Sequence, residues 1–88
     1  MYTLFIRPEL DKEFQKLSRR DPKQMEIIIK KTDEVLENPH HYKNLRAPLN
    51  QWKRVHIDSH FVLTYSIDES NKVVILEDYD HHDEIYHQ

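Results

Sequence analysis

A chain of 88 residues without a single glycine has few ways to turn sharply and fewer ways to wrap its backbone around a phosphate. Left-handed backbone, helix ends and close approach of main chain to a ligand all favour a residue that lacks Cβ. Turns here must instead be made by Asp, Asn, Ser and Pro, through side-chain hydrogen bonds or a fixed φ. The same absence removes whole function classes. A dinucleotide fingerprint, a P-loop and a G-x-S-x-G nucleophile elbow each need glycine, so nucleotide-binding and serine-hydrolase readings are excluded. Cysteine is absent as well, which excludes disulfides, thiolate zinc sites and thiol nucleophiles. Any phosphate held by this chain must be held by side chains.

The length fits one small domain over residues 1–88. A hydrophobic content of 38% is enough for a small two-layer core. The longest apolar runs, Ile27-Ile28-Ile29 and Val73-Val74-Ile75-Leu76, are far short of a membrane span. No basic patch followed by an apolar stretch opens the chain, so the expectation is a cytoplasmic protein without a membrane partner.

Alternation over residues 2–7 predicts a first strand, with Tyr2, Leu4 and Ile6 on one face. Pro8 suits the first turn of a helix, and Leu10, Phe14 and Leu17 give that helix one apolar stripe. A second helix is better specified. Asp21 is its N-cap, Pro22 its first residue and Gln24 the partner in a capping box. Met25, Ile28, Ile29, Thr32, Val35 and Leu36 trace one face, and Asn38-Pro39 ends it. With so short a link the two helices form an antiparallel hairpin.

Residues 40–51 read as a loop with one helical turn around 42–45, then strands follow over 52–57, 61–67 and 73–79. Asp58-Ser59-His60 and residues 68–71 supply the turns. The expected architecture is α+β: an N-terminal strand, a two-helix hairpin, then a three-stranded antiparallel meander, with both helices on one sheet face. Leu4, Val55 and Ile57 belong to the core, and the other sheet face stays open.

The chemistry-bearing residues gather toward that open face. Net charge is −3, which argues against a nucleic-acid partner. Its distribution argues otherwise. Residues 1–46 carry 10 basic and 8 acidic side chains, residues 47–88 only 3 against 8, and five of the seven His lie in that second, acidic part. Lys43, Arg46, Lys53 and Arg54 follow one another with no acid between them, as a solvated face or a set of phosphate contacts. If Val55 and Ile57 face the helices, Arg54 and His56 share the open face about 6–7 Å apart. A cation beside an imidazole suits phosphodiester cleavage: His takes a proton from a ribose 2′-hydroxyl while Arg neutralises the phosphate. The same spacing also describes an ordinary exposed cross-strand pair.

The tail over residues 80–88 leaves three readings open. His81 and His82 with Asp80 and Asp83 suit a Zn²⁺ or Mn²⁺ site, one His suits a general acid, and the whole suits a polar tail docked by Ile85 and Tyr86. Adjacent His on extended backbone point opposite ways, which weighs against one metal using both. His40 and His41 read as surface residues or as the lining of a groove. Trp52 reads as core or as a stacking platform.

Ala47-Pro48-Leu49, Trp52-Lys53, Val55-His56-Ile57, Phe61-Val62-Leu63-Thr64-Tyr65 and the ending His82-Asp83-Glu84-Ile85-Tyr86, in this element order, resemble the RelE/ParE superfamily of toxins of type II toxin–antitoxin systems. Within it the resemblance runs closest to the YafQ-like mRNA interferases. It implies an mRNA endoribonuclease acting on the ribosome, needing no metal or other cofactor and silenced by a cognate antitoxin protein. On that pattern His56 is the catalytic strand histidine and His82 the proton donor. The chain departs from it at three places: His60 stands for an Asp, Ala47 for a His, and Asp78 lies near the position where many members of the superfamily carry a phosphate-binding Arg. His60 then joins the candidate catalytic set, with Arg54, Arg46, Lys43 and Lys53 as candidate substrate contacts, Lys43 and Arg46 on charge alone. The rival reading is a binding module of the same fold that poisons a protein target or only pairs with an antitoxin.

Overall fold

A computed structural model describes residues 1–82 and Ile85. Its elements are β1 (Thr3–Ile6), α1 (Pro8–Arg20), α2 (Pro22–Glu37), β2 (Lys53–His56), β3 (Phe61–Asp68) and β4 (Val73–His81). The sheet order is β1-β4-β3-β2. β1 lies parallel to β4, while β2, β3 and β4 form the antiparallel meander.

Side chains make the turns that glycine would otherwise ease. Asp21 ends α1 and caps α2, its Oδ1 accepting from the Gln24 N–H at 3.2 Å. The reciprocal half of the expected capping box does not form, because the Gln24 amide donates to the Tyr79 hydroxyl instead, at 2.8 Å. Asp58 accepts from the N–H groups of His60 (2.7 Å) and Phe61 (2.9 Å) and so closes the β2–β3 turn. Asp68 closes the β3–β4 turn through Ser70 and Asn71. That turn forces Lys72 to φ 56°, the one left-handed residue among those described. A Cβ there costs energy, and Lys72 is held by its ion pair with Glu69 and by the face of Tyr2.

The main core lies between the helices and one sheet face. Leu10, Phe14 and Leu17 of α1 and Ile28, Thr32 and Val35 of α2 are buried against Val55, Ile57, Leu63, Tyr65, Val74, Leu76 and Tyr79. Two residues expected in this core lie outside it. Leu4 is 38% exposed and Ile29 53%. β1 is an edge strand with only β4 beside it, and Leu4 and Ile29 both line a largely apolar groove between it and α2.

The second sheet face is not fully open. Leu45, Val62 and Ile85, with Leu49 and Trp52 beside them, form a second small core there. The expected helical turn around 42–45 is replaced by extended chain: Asn44 bridges Lys53, and the Leu45 N–H donates to the Trp52 carbonyl at 2.8 Å. Burying Leu45 on Val62 requires that course, because a helical turn would lift it off the sheet. Trp52 is half-buried there as partial core. No helix among the described residues is long and apolar enough to cross a membrane.

Candidate functional site

Arg54 pairs with Thr64, Val55 with Leu63 and His56 with Val62. Val55 and Leu63 enter the main core, so period-2 alternation turns Arg54 and His56 together to the other face. β2 is the last strand of the sheet, and its outer side borders a groove of ≈ 430 Å³. Lys31 of α2, the loop residues His41, Tyr42 and Lys43, and Arg54, Val55 and His56 line it. Those residues include three cations, two imidazoles and no carboxylate.

The loop wall is built by β2 and β3. The Arg54 N–H donates to the Lys43 carbonyl (3.0 Å) and its guanidinium to the Asn44 carbonyl (2.9 Å). Lys53 Nζ donates to the Tyr42 carbonyl (3.0 Å) and to Asn44 Oδ1 (2.7 Å). The buried Tyr65 hydroxyl donates to the Pro39 carbonyl at 2.6 Å, and its ring meets Tyr42 edge-on. Of the four expected cations, Lys43 and Arg54 therefore line the groove. Lys53 braces its wall, and Arg46 stands exposed further along, in the turn closed by Leu49.

Four of the histidines form two pairs. His56 and His82 have ring centroids 5.8 Å apart with a 31° tilt. His60 and His81 stack at 6.0 Å, and His81 also meets Phe61 edge-on. β4 runs to His81, beyond its expected end at Tyr79, and the His82 N–H then donates to the His60 carbonyl at 2.7 Å. That extension carries His82 to His56 and sends His81 the other way. His40 joins neither pair. It bonds Glu69 (2.7 Å) and Tyr2 (3.2 Å) at the opposite end of the sheet.

Partial burial holds the His56 imidazole below its ordinary pKa, and the charges of Arg54 and His82 push in the same direction. At neutral pH His56 is thus a neutral base beside a fixed cation, with a second imidazole within reach. That combination can take a proton on one side of a phosphate and return one on the other.

Among the described residues no group of three or more His, Asp or Glu is arranged to hold a metal ion. The tail metal reading needs His81 and His82 to converge, and they diverge; Asp83 lies outside the described residues. Asp78, near the expected Arg position, lines a separate groove with Glu13 and Leu10, where burial raises its carboxyl. Ala47 is exposed in the turn after Arg46. Sequence reading missed Lys31 and Tyr42. Lys31 sits on the polar side of α2 and reaches the groove only through the long-range packing of α2 beside β2, for which the sequence carries no local signal.

Comparison with known proteins gives a consistent picture. The family model of the ParE toxin of the type II toxin–antitoxin system parDE matches residues 4–86. An uncharacterized protein of Methanosarcina mazei is 65% identical over 86 residues, covering 98% of this chain and 100% of its own. A candidate toxin, RelE4, of Methanocaldococcus jannaschii is 60% identical over 86 residues, covering 98% and 92%. Among solved structures, the isolated RelE toxin of Escherichia coli superposes with TM-score 0.76 at 24% identity, covering 92% of this chain and 84% of that one. The toxin–antitoxin complex RelBE2 of Mycobacterium tuberculosis gives 0.76 at 21%, covering 91% and 96%. YafQ of Escherichia coli gives 0.73 at 13%, covering 98% and 99%, so it is one structural neighbour among several.

Proposed function

The chain belongs to the ParE toxin family of type II toxin–antitoxin systems, within the RelE/ParE superfamily, and on that footing we propose that it is a ribosome-dependent mRNA endoribonuclease working by metal-independent acid–base catalysis. The observation that supports this most is the meeting of two imidazoles, His56 and His82, at the end of a groove whose charged lining residues, Lys31, Lys43 and Arg54, are all cations. His56 takes the proton of a ribose 2′-hydroxyl, whose oxygen attacks the adjacent phosphorus. Arg54 neutralises the charge that builds on the phosphate. His82 gives a proton to the departing 5′-oxygen as the P–O bond breaks, leaving a 2′,3′-cyclic phosphate and a 5′-hydroxyl. General acid–base steps of this kind each contribute about 10²–10⁴-fold.

Lys43 holds the chain on the approach side, with Arg46 further along. His60 acts through its neighbours: its carbonyl fixes the His82 backbone while its ring stacks on His81. A cytoplasmic setting, a cognate antitoxin, and the ribosome with its mRNA as partners belong to the same proposal. So does a place among the YafQ-like toxins, which rests on the ending His82-Asp83-Glu84-Ile85-Tyr86. An acidic chain can act on RNA in this reading because the ribosome supplies much of the affinity and the groove supplies the local positive field.

Purified protein added to ribosomes translating a defined mRNA, with transition-metal chelators present and Mg²⁺ retained, is expected to yield discrete new 5′ ends. His82→Ala should lower cleavage by about 10²-fold or more with the circular dichroism spectrum unchanged. The departures at Ala47, His60 and Asp78 favour one rival, a non-catalytic binding module. Arrest of translation with the mRNA left whole would establish that rival and reject the nuclease.

A further inference from the structure

The groove holds more positive charge than one scissile phosphate uses. Arg54 stands on the strand beside His56, its guanidinium directed by the Asn44 carbonyl. Lys31 belongs to a different element, on the wall that α2 contributes, and Lys43 lies on the loop wall. Lys31 lies half-exposed along the groove, while its neighbour Lys30 is exposed and is not among the residues that line it. The acid beside Lys31 is Glu34, 3.5 Å away one helical turn on, with side-chain exposures of 36% and 42%. An exposed pair of that length is weak and leaves the ammonium available to a competing anion.

We infer that Lys31 and Lys43 form a second phosphate subsite for the RNA, holding the nucleotide next to the one cleaved at His56. This rests on the nuclease reading for the identity of the strand, but the subsite itself is a matter of binding. RNA in this groove lies along the edge of β2, with its reacting phosphate at the Arg54–His56–His82 end and a neighbouring phosphate between helix and loop. The contact is to phosphate alone and so carries no base preference; it adds affinity and register.

The test is fluorescence anisotropy of a short dye-labelled single-stranded RNA with the full chain across a salt series, run beside the ribosome cleavage assay. Lys31→Gln should weaken binding roughly three- to tenfold and make the slope of log affinity against log salt shallower by about 0.7, the value for one phosphate contact on a single strand. It should raise KM in cleavage while leaving kcat within about twofold. Lys31→Arg should restore both. Glu34→Gln should tighten binding, since it releases Lys31 from its competitor. Lys30→Gln makes the same charge change outside the groove and should leave affinity and slope unchanged. An unchanged slope in Lys31→Gln, an equal effect in Lys30→Gln, or a wild-type chain that fails to bind the RNA at low salt overturns the subsite. Salt-dependent binding that needs Lys31 in a chain that cleaves nothing would reject the nuclease reading and keep the subsite.

Discussion

Two grooves of similar size carry opposite charge. The one beside β2, ≈ 430 Å³, is lined by Lys31, Lys43 and Arg54 with two imidazoles. The one between α1 and β4, ≈ 490 Å³, is lined by Glu9, Glu13, Glu77 and Asp78 with Arg7 as its single cation. That cation is already spent, its Nε 2.9 Å from Glu77. The construction differs as well. The acidic groove is walled by α1, β4 and the residue that joins β1 to α1, while one wall of the basic groove is a loop braced by Tyr65, Lys53 and Arg54. A net charge of −3 therefore describes neither surface. What a phosphate meets is the local field of one groove, and loops set on a rigid sheet are where binding groups concentrate.

The sharpest way to break this contrast is to remove one arginine from each groove. Arg54→Ala should lower ribosome-dependent cleavage by about 10²-fold, the scale of losing one charge-stabilising donor at a reacting centre. Arg7→Ala should leave cleavage unchanged. Arg54→Ala should also move the acid limb of the pH–rate profile upward. The Arg54 charge disfavours the protonated form of His56, so its removal raises that pKa and more protonated, inactive His56 is present at a given low pH. Equal losses in the two variants would mean that overall charge matters and the groove does not.

A smaller effect separates the loop-built groove from the element-built one. Tyr65→Phe deletes the hydrogen bond to the Pro39 carbonyl and keeps the ring in the core. It should cost about 1 kcal/mol in urea unfolding, more if the carbonyl stays dry. It should raise KM for cleavage by loosening the segment that carries His41, Tyr42 and Lys43. A destabilised variant with unchanged KM would show that the loop holds its shape without this brace.

Much of the frame was legible because its signals are local. Asp21-Pro22 marked a helix start, Asp58 a turn, and period 2 through Val55 put Arg54 beside His56. The failures share a cause in long-range packing. Periodicity cannot say that β1 sits at an edge, so Leu4 and Ile29 were expected in the core. It cannot show that Leu45 and Ile85 meet Val62, because those three residues share no element. The residues alone leave the partner of His56 open between His81 and His82, and only the family resemblance picks His82, because the answer depends on where β4 ends. That end follows a register irregularity between Thr64 and Tyr65, which shifts every later residue against β3. Lys31 was invisible for a related reason: nothing in its own helix says which strand lies beside it.

The smallest expected effect lies in the acidic groove, and its sign is informative. Partial burial raises the Glu13 carboxyl above its ordinary pKa, and Asp78 and Asp80 add to that, with Arg20 and Lys16 opposing. A carboxyl raised in the folded state takes up its proton more readily there than in the unfolded chain. Between its ordinary and raised values, lowering the pH thus favours folding, and above that window the bare charge disfavours it. Glu13→Gln should therefore be slightly more stable than the parent at pH 7, within the roughly 0.5 kcal/mol typical of surface substitutions. The difference should shrink as pH falls through that window, in calorimetric melts taken at steps of pH. Cleavage and RNA affinity should not change, because Glu13 lines a different groove from the one that Lys31 lines. If Glu13→Gln tightens RNA binding, the acidic groove repels the strand at a distance and the two surfaces act as one field. If it lowers stability at pH 7, Glu13 makes a favourable contact with Arg20 or Lys16 that outweighs its crowding by Asp78 and Asp80.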